Sequence, residues 1–171
     1  MAPRRSFGLI LLSGLLSLAA GELMVRLAAP QAIGLAPPMY LPDSTLAHRL
    51  KPRFSGRLRS GEYSTRVVIN DRGFRGAAWR EDALLRVLVL GDSFTFGYGV
   101  EEREAYPAVV EELLAAAGCR VAVCNAGVPG YGTLQEAALA ERLLTDLAPQ
   151  AVVLGFTVGS DVQDNLQQGI R

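Results

Sequence analysis

The sequence contains few of the residue types on which many kinds of functional site depend. Among its 171 residues it has two cysteines and a single histidine, and its 17 basic side chains are balanced by 17 acidic ones. Two cysteines exclude a disulfide scaffold and a cysteine-rich zinc module. Because acid–base and transition-metal sites use histidine most often, the solitary His48 restricts both kinds of chemistry. The absence of net charge argues against a nucleic-acid-binding protein.

The neutral total conceals two halves of opposite charge. Residues 1–80 contain 12 basic and 4 acidic side chains, a net charge of +8, so the remainder carries −8. A basic stretch beside a membrane would favour anionic lipid headgroups or an acidic polymer. The simpler interpretation, which we favour, is an arginine-rich surface exposed to solvent.

The N-terminus has the pattern of a targeting segment. An Arg4-Arg5 pair precedes an uncharged apolar run from Phe7 to Gly21. That run would rise only about 22 Å as a helix, so a span of the roughly 30 Å hydrocarbon core needs the following turns up to Pro30. We therefore predict a signal anchor or transmembrane segment over residues 1–30.

The arginine pair also predicts the orientation of this segment. Positive charges that precede an apolar run favour an N-terminus inside the cell, so the following domain would be anchored to the inner membrane and lie in the periplasm or outside the cell. Signal-peptide cleavage is the alternative. Ser17 and Ala19 are small residues at the spacing of a cleavage site, although the match is weak.

The next fifty residues have the composition of a connecting segment. Prolines recur, and only the stretch from Tyr63 to Asn70 alternates as a strand does. We predict that residues 31–82 form a loop-like basic tether and a covering flap for the domain that follows.

From Leu84 onwards the sequence alternates between strand and helix patterns. Apolar runs predict strands at residues 84–90, 121–124 and 151–156, and the first run is continuous enough for a parallel strand buried on both faces. Such strands with short connections form right-handed crossovers and a parallel sheet, whose ligand site lies at the carboxyl ends of the strands.

Two helices are predicted between these strands. The first runs from about Tyr106 to Ala117 and the second from Thr133 to about Leu147. Thr133 and Glu136 have the spacing of a capping box, which marks the start of the second helix.

Small polar residues beside glycine follow each predicted strand. They are Asp92-Ser93 after the first strand, Asn125 to Gly132 after the second, and Ser160-Asp161 after the third. Because parallel strands end at the same edge of a sheet, these residues converge on one site, where backbone N–H groups and the Ser93 hydroxyl are available. A phosphate loop needs Lys-Ser/Thr after its last glycine, and none follows Gly99. The glycine spacing after the second strand does not fit a dinucleotide fingerprint, and Thr95 stands where a nucleophile elbow has glycine.

These three loops resemble the first three sequence blocks of the SGNH, or GDSL-type, hydrolase superfamily. The resemblance rests on Leu88 to Ser93, on the glycine-rich turn after the second strand and on Gly159-Ser160-Asp161, and it extends from about Asn70 to the C-terminus. An N-terminal membrane anchor is common in similar bacterial proteins, and this chain resembles such a membrane-anchored bacterial member. It implies an α/β fold, the flavodoxin-like three-layer α/β/α arrangement with a parallel sheet, and ester or acyl-transfer chemistry.

Position by position, the resemblance implies a role for each site residue. Ser93 is the nucleophile, and its backbone N–H, the Gly130 N–H and the Ser160 side chain form the oxyanion hole. Ser160 stands where the family has asparagine, and losing one such donor lowers turnover by about 10²–10³. No metal and no cofactor is expected; the alternative, magnesium held by carboxylates of the loops, lacks a diagnostic ligand spacing. The supporting residues are Asp92, Asp161 and Asn125, and the carboxylates of the alternative are Asp92, Asp161 and Asp164.

One part of the family pattern is missing. The family carries an aspartate and a histidine three residues apart in a late block, and no histidine follows Ser93 in this sequence. A serine without a base is a poor nucleophile at neutral pH. His48 could be the base only if the flap folds over the strand ends, and otherwise it is an ordinary surface histidine. We therefore expect residues 83–171 to be the N-terminal part of an SGNH-like domain, incomplete at the C-terminus.

Three functions are consistent with these features. The one we favour is an esterase or acyl hydrolase of lipid or acylated-carbohydrate esters at the cell envelope. The alternatives are an O-acyltransferase-like modifier of envelope polysaccharide, with residues 49–80 contacting an acidic chain, and a non-catalytic binding module. The expected partners are a small-molecule, glycan or lipid ester and the membrane, through the N-terminal helix, but no nucleic acid.

Overall fold

The chain consists of two units, residues 1–34 and residues 35–171. The first forms helix α1 (Pro3–Ala28), whose portion Phe7–Ala28 is exposed and is long and apolar enough to cross a membrane. Length and composition of this kind suit a membrane anchor and a signal sequence alike. The computed structural model describes residues 3–28, 38–78, 80, 82–159 and 161–168.

Two short antiparallel hairpins open the second unit. Their presence shows that the loop-like conformation expected for this region is wrong for residues 40–68, although the strand predicted from Tyr63 to Asn70 is confirmed as β4. The pairs are β1 (Tyr40–Asp43) with β2 (Ala47–Leu50), and β3 (Ser55–Arg59) with β4 (Ser64–Val68).

The hairpins were not predicted from the sequence because each of their strands is only four or five residues long. Within them Leu50, Leu58 and Val67 are almost completely buried, while polar and basic side chains alternate with them on the exposed face. One or two apolar positions in so short a run do not stand out from proline-rich surroundings.

The predicted parallel sheet is confirmed. Its strand order is β6-β5-β7, so the first strand in sequence lies in the middle. Every strand of this sheet is followed by a helix, as the alternating pattern predicted. The elements are β5 (Leu85–Gly91), α2 (Ser93–Phe96), a 3₁₀ turn (Glu102–Glu104), α3 (Tyr106–Ala116), β6 (Val121–Gly127), α4 (Thr133–Leu147), β7 (Ala151–Gly155) and α5 (Asp161–Gln168).

Alternation along β5 produces the three layers. Val87 and Val89 face the side of the sheet on which Leu114 of α3 packs. Leu88 and Leu90 face the opposite side, against the apolar face of α4. Because successive strand residues point to opposite faces, α3 and α4 cover the two sides of one sheet.

Helix α4 has the bounds that the sequence predicted, but its N-cap lies one residue before the Thr133 that the capping-box pattern indicated. The side chain of Gln135 accepts a hydrogen bond from the Gly132 N–H at 2.9 Å, so the N-cap is Gly132 rather than Thr133. Glu136 is consequently on the buried face of the helix, where it plays no part in the cap.

Three glycines lie side by side where the parallel strands end. Gly91 of β5 is in register with Gly127 of β6 on one side and with Gly155 of β7 on the other. A Cβ atom at Gly91 or Gly155 would overlap the Thr95 side chain, and one at Gly127 would lie 2.8 Å from the Thr95 carbonyl carbon. This glycine row lets α2 lie directly on the end of the sheet.

We expect Gly127→Ala to lower the free energy of unfolding by about 1–3 kcal/mol, because the new methyl group meets the α2 backbone, which cannot rotate away. The φ angle of Gly127 is not in the left-handed region, so the substitution adds no backbone strain and tests only the steric overlap of the new methyl group. The control is Gly61→Ala, which meets no atom within 4 Å. Equal urea-unfolding midpoints for the two variants would contradict the role of the glycine row.

Candidate active site

Ser93 is the first residue of α2 and follows β5 after a single intervening residue, Asp92. The Asp92 carboxylate accepts a hydrogen bond from the Phe94 N–H at 2.8 Å, so it caps the short helix. The Ser93 carbonyl accepts from the N–H groups of Gly97 at 3.0 Å and Tyr98 at 2.9 Å, and the Ser93 side chain is half-buried. Among the described residues the Ser93 hydroxyl makes no hydrogen bond, which leaves it available to a bound molecule.

A tight turn after β6 carries Gly130. The Tyr131 N–H donates to the Val128 carbonyl at 3.2 Å, and Gly130 has a φ of 85°. Proline at the second position and a left-handed glycine at the third are the features of a type II β-turn. The Val128 N–H also donates to the Gly91 carbonyl at 2.9 Å. The structure therefore ties the turn that contains Gly130 to the end of the strand that precedes Ser93.

Asn125 joins β6 to its surroundings. Its side-chain oxygen accepts from the Gly127 N–H at 3.1 Å, and its backbone carbonyl accepts from the Arg75 N–H at 3.2 Å. Its amide nitrogen lies 3.5 Å from the Phe96 carbonyl of α2. Asn125 therefore connects β6, helix α2 and the segment that carries Arg75, and its supporting role stays a prediction.

The third loop is closed by Asp161. Its carboxylate accepts from the Thr157 N–H at 2.7 Å, and its own N–H donates to the Thr157 carbonyl at 3.0 Å. Asp161 is completely buried. Ser160, the third residue expected in the oxyanion hole, lies outside the described residues.

Arg75 is a buried cation that the sequence reasoning missed. Its guanidinium donates to the carbonyls of Phe96 and Val100 at 2.6 Å each and to that of Gly97, and it lies 4.8 Å from the centre of the Phe96 ring. Burial lowers its pKa. The interpretation of the arginines as a solvent-exposed surface is therefore wrong for Arg75. The available signal was its position between the apolar Phe74 and the glycine of a turn.

Three buried carboxyl groups of the second unit influence one another electrostatically. Glu136, Asp92 and Asp161 are all buried, and within the described part of the chain neither oxygen of Glu136 has a hydrogen-bond partner. Burial first, and then the charges of Asp161 and Asp92, raises the pKa of Glu136 to about 8. Glu136 therefore keeps its proton at neutral pH. Its helical spacing with Leu139 and Leu143 could have shown that it belongs to the buried face.

These carboxyl groups do not form a recognisable metal site. Among the described residues, no group of three histidine, cysteine, aspartate or glutamate side chains could hold a metal ion. The magnesium alternative that the sequence left open thus receives no support from the described geometry.

His48 lies on β2, and its Nε2 is 3.0 Å from the Pro129 carbonyl oxygen. The hairpin of β1 and β2 therefore packs on the loop that carries Gly130, and the interpretation of His48 as an ordinary surface residue is wrong. A carbonyl oxygen can only accept, so Nε2 carries a proton and donates it in this contact. In this arrangement Nε2 is not available as a base.

The aromatic residues around Ser93 differ in exposure. Phe96 is completely buried and belongs to the hydrophobic core, whereas Phe94 is 71% exposed and Tyr98 39% exposed. Of the three residues, Phe94 and Tyr98 are therefore the ones that offer apolar surface to a bound molecule.

Glu136→Gln should change the pH dependence of stability. The folded chain retains a proton on Glu136 up to about pH 8, whereas an unfolded chain releases it near the ordinary pKa of 4.5. The carboxyl group's contribution to stability is thus complete below pH 4.5 and is lost as the pH rises towards 8. We expect the variant to lose less stability than the original chain between pH 5 and pH 8, measured by urea unfolding.

Three titratable groups interact electrostatically with Glu136, namely Asp92 before α2, Asp161 of α5 and Tyr106 of α3. The control is Glu112→Gln, which removes an exposed carboxylate from α3. If both variants show the same pH dependence as the original chain, Glu136 is ionised in the folded state.

Part of this chain is similar to known proteins. Residues 89–159 match the GDSL-like lipase/acylhydrolase family. No curated protein matches the chain. The crystal structure of AlinE4, an SGNH-hydrolase family esterase, is 27% identical with a TM-score of 0.41, and the match covers 51% of this chain and 44% of AlinE4. Two mutants of AlinE4 match at 27% and 28% identity, with TM-scores of 0.41 and 0.40 and the same coverage.

This chain thus spans less than half the length of the solved structures that it matches. The matched segment begins inside β5 and ends after β7, so it contains Ser93, the Gly130 turn and the start of the third loop. By the family match and by the parallel sheet with these loops at its carboxyl edge, the segment 89–159 of this chain belongs to the SGNH, or GDSL-like, hydrolase superfamily.

Proposed function

We propose that this chain contributes the nucleophile and the oxyanion-binding groups of a serine esterase. The observation that carries the proposal is the link between two loops. Ser93 begins the helix at the end of β5, and the Val128 N–H donates to the carbonyl of Gly91 at 2.9 Å, which holds the Gly130 turn beside that end. A hydroxyl and backbone N–H groups held at one sheet edge suit acyl transfer.

In the proposed reaction the Ser93 oxygen attacks the ester carbonyl carbon while a base takes the hydroxyl proton. The negative charge that develops on the carbonyl oxygen is stabilised by the N–H groups of Ser93 and Gly130 and by Ser160. The intermediate then collapses, the alcohol leaves with a proton, and the acyl group stays on Ser93 until water removes it. The base in this family is a histidine of a later block, and no histidine follows Ser93 in this sequence.

We further propose that the substrates are lipid or acylated-carbohydrate esters at the cell envelope. In this proposal residues 1–30 anchor the protein in the inner membrane. Residues 31–82 connect this anchor to the following domain and cover that domain. Residues 83–171 carry the active site on the outer side of the membrane. The apolar helix Phe7–Ala28 and the arginine pair before it support the anchor and its direction. The exposed rings of Phe94 and Tyr98 support an apolar acyl group.

One observation favours a second candidate, an O-acyltransferase that modifies an acidic polysaccharide. Arg57 of β3 is directly opposite Arg66 of β4, and both are exposed. Like charges directly opposite each other destabilise a hairpin, and an anionic chain bound across them would remove that repulsion. Transfer of a labelled acetyl group to an acidic glycan in preference to water would select this candidate. Release of free acetate alone, with the glycan present, would exclude it.

Ser93→Ala should abolish hydrolysis of p-nitrophenyl esters and labelling by a fluorophosphonate probe, because the attacking oxygen is removed. Its thermal unfolding should match that of the original chain, since the Ser93 hydroxyl has no hydrogen bond to another described residue. Ser44→Ala, on an exposed turn, is the matched control and should keep both activities. Hydrolysis that survives in Ser93→Ala would refute the assignment. A folded original chain that neither hydrolyses esters nor reacts with the probe would favour a binding module.

A further inference from the structure

We infer that His48 is a positioning residue which fixes the direction of the Gly130 N–H group. The inference rests on the proposed function, in which that N–H binds the oxyanion. The contact that carries it is the hydrogen bond from His48 Nε2 to the Pro129 carbonyl at 3.0 Å. His48 is 81 residues away from Pro129 in sequence, so the contact is a feature of the tertiary fold.

The reason lies in the geometry of the peptide unit. The carbonyl of Pro129 and the N–H of Gly130 belong to one planar trans unit, in which they point in opposite directions. A hydrogen bond that holds the carbonyl oxygen therefore also holds the direction of the N–H. His48 acts on Gly130 in this way without contacting the substrate.

This peptide unit needs to be held because its turn has two accessible forms. Type I and type II β-turns differ mainly by a rotation of the central peptide unit, here the one between Pro129 and Gly130. Gly130 is in the type II form, with a φ of 85°, but a glycine also permits the negative φ of the type I form. Rotation to type I would turn the Gly130 N–H away from its present direction. The hydrogen bond from His48 stabilises the type II form.

His48 is itself held firmly by aromatic neighbours. Its ring lies edge-on to Tyr40 at 5.1 Å and to Tyr131 at 5.2 Å between ring centres. The hydroxyl of the fully buried Tyr131 donates to the His48 backbone carbonyl at 2.5 Å. Because Tyr131 directly follows Gly130, His48 is hydrogen-bonded to the residues on both sides of Gly130, Pro129 and Tyr131.

The hairpin that carries His48 is also anchored to the rest of the second unit. Both oxygens of the Asp43 carboxylate accept from the Arg142 guanidinium of α4, at 2.8 and 3.1 Å. Met39, Leu46 and Leu50 of the hairpin region share a buried cluster with residues of the turn. A rigid platform of this kind is what a positioning hydrogen bond requires.

The positioning role differs from a general-base role in its dependence on pH. Nε2 keeps its proton in both the neutral ring that makes this contact and the protonated ring, so the hydrogen bond survives protonation of His48. A general base would instead lose its function when protonated. The pH profile of hydrolysis therefore distinguishes the two roles.

The test compares His48→Phe, which keeps a ring but has no donor, with His48→Gln, whose amide can donate to the Pro129 carbonyl. In the full chain in detergent we expect His48→Phe to lower kcat for p-nitrophenyl acetate roughly 10- to 100-fold, with KM within about twofold, and His48→Gln to restore part of the loss. Neither variant should alter the shape of the pH profile. An unchanged kcat in His48→Phe, or an equal loss in both variants with an altered pH profile, would overturn the inference.

A second readout does not depend on hydrolysis. In protein labelled with ¹⁵N-glycine, the Gly130 amide should give one sharp resonance in the original chain and a shifted or exchange-broadened one in His48→Phe, while the Gly61 resonance stays unchanged. An unaltered Gly130 resonance in His48→Phe would overturn the inference even in a protein that hydrolyses no ester. If the resonance responds but no Ser93-dependent hydrolysis occurs, the proposed function fails and the positioning contact stands.

Discussion

The candidate site depends on the close approach of one short helix to the end of a parallel sheet. Three glycines at one register provide the space, because a side chain on any of them would overlap Thr95 or the α2 backbone. Thr95 is 1% exposed and fills the space that the three glycines leave. With α2 seated there, Asp92 caps its start and Ser93 faces the carboxyl edge, where sheets of this class bind their ligands.

The segment before the sheet does more than connect helix α1 to the parallel sheet. Arg75 holds three carbonyls at the far end of α2, and His48 holds the carbonyl beside Gly130. The two loops that carry the proposed oxyanion donors are thus each fixed by one cationic or polar side chain from residues 38–78. Burial and the charges of Asp161 and Asp92 raise the pKa of the Glu136 carboxyl group to about 8, so it keeps its proton at neutral pH.

The sequence predicted the parallel sheet because its strands are long apolar runs separated by amphipathic helices. It also predicted that Ser93 and the Gly130 turn lie at the same sheet edge, since strand ends in such a sheet converge. The two hairpins were missed because strands of four or five residues carry too few apolar positions. The roles of Arg75 and His48 were missed for a different reason: each depends on backbone carbonyls more than 20 residues away, which no local pattern contains.

In the reaction that we propose, Ser93 carries the acyl group during ester hydrolysis. The most direct measurement is peptide mass spectrometry of the full chain, quenched in acid during turnover of a p-nitrophenyl ester. We expect the substrate's acyl group on the peptide that contains Ser93, attached to that serine. An acyl group attached to another residue, or hydrolysis that proceeds with no adduct on Ser93, would contradict it.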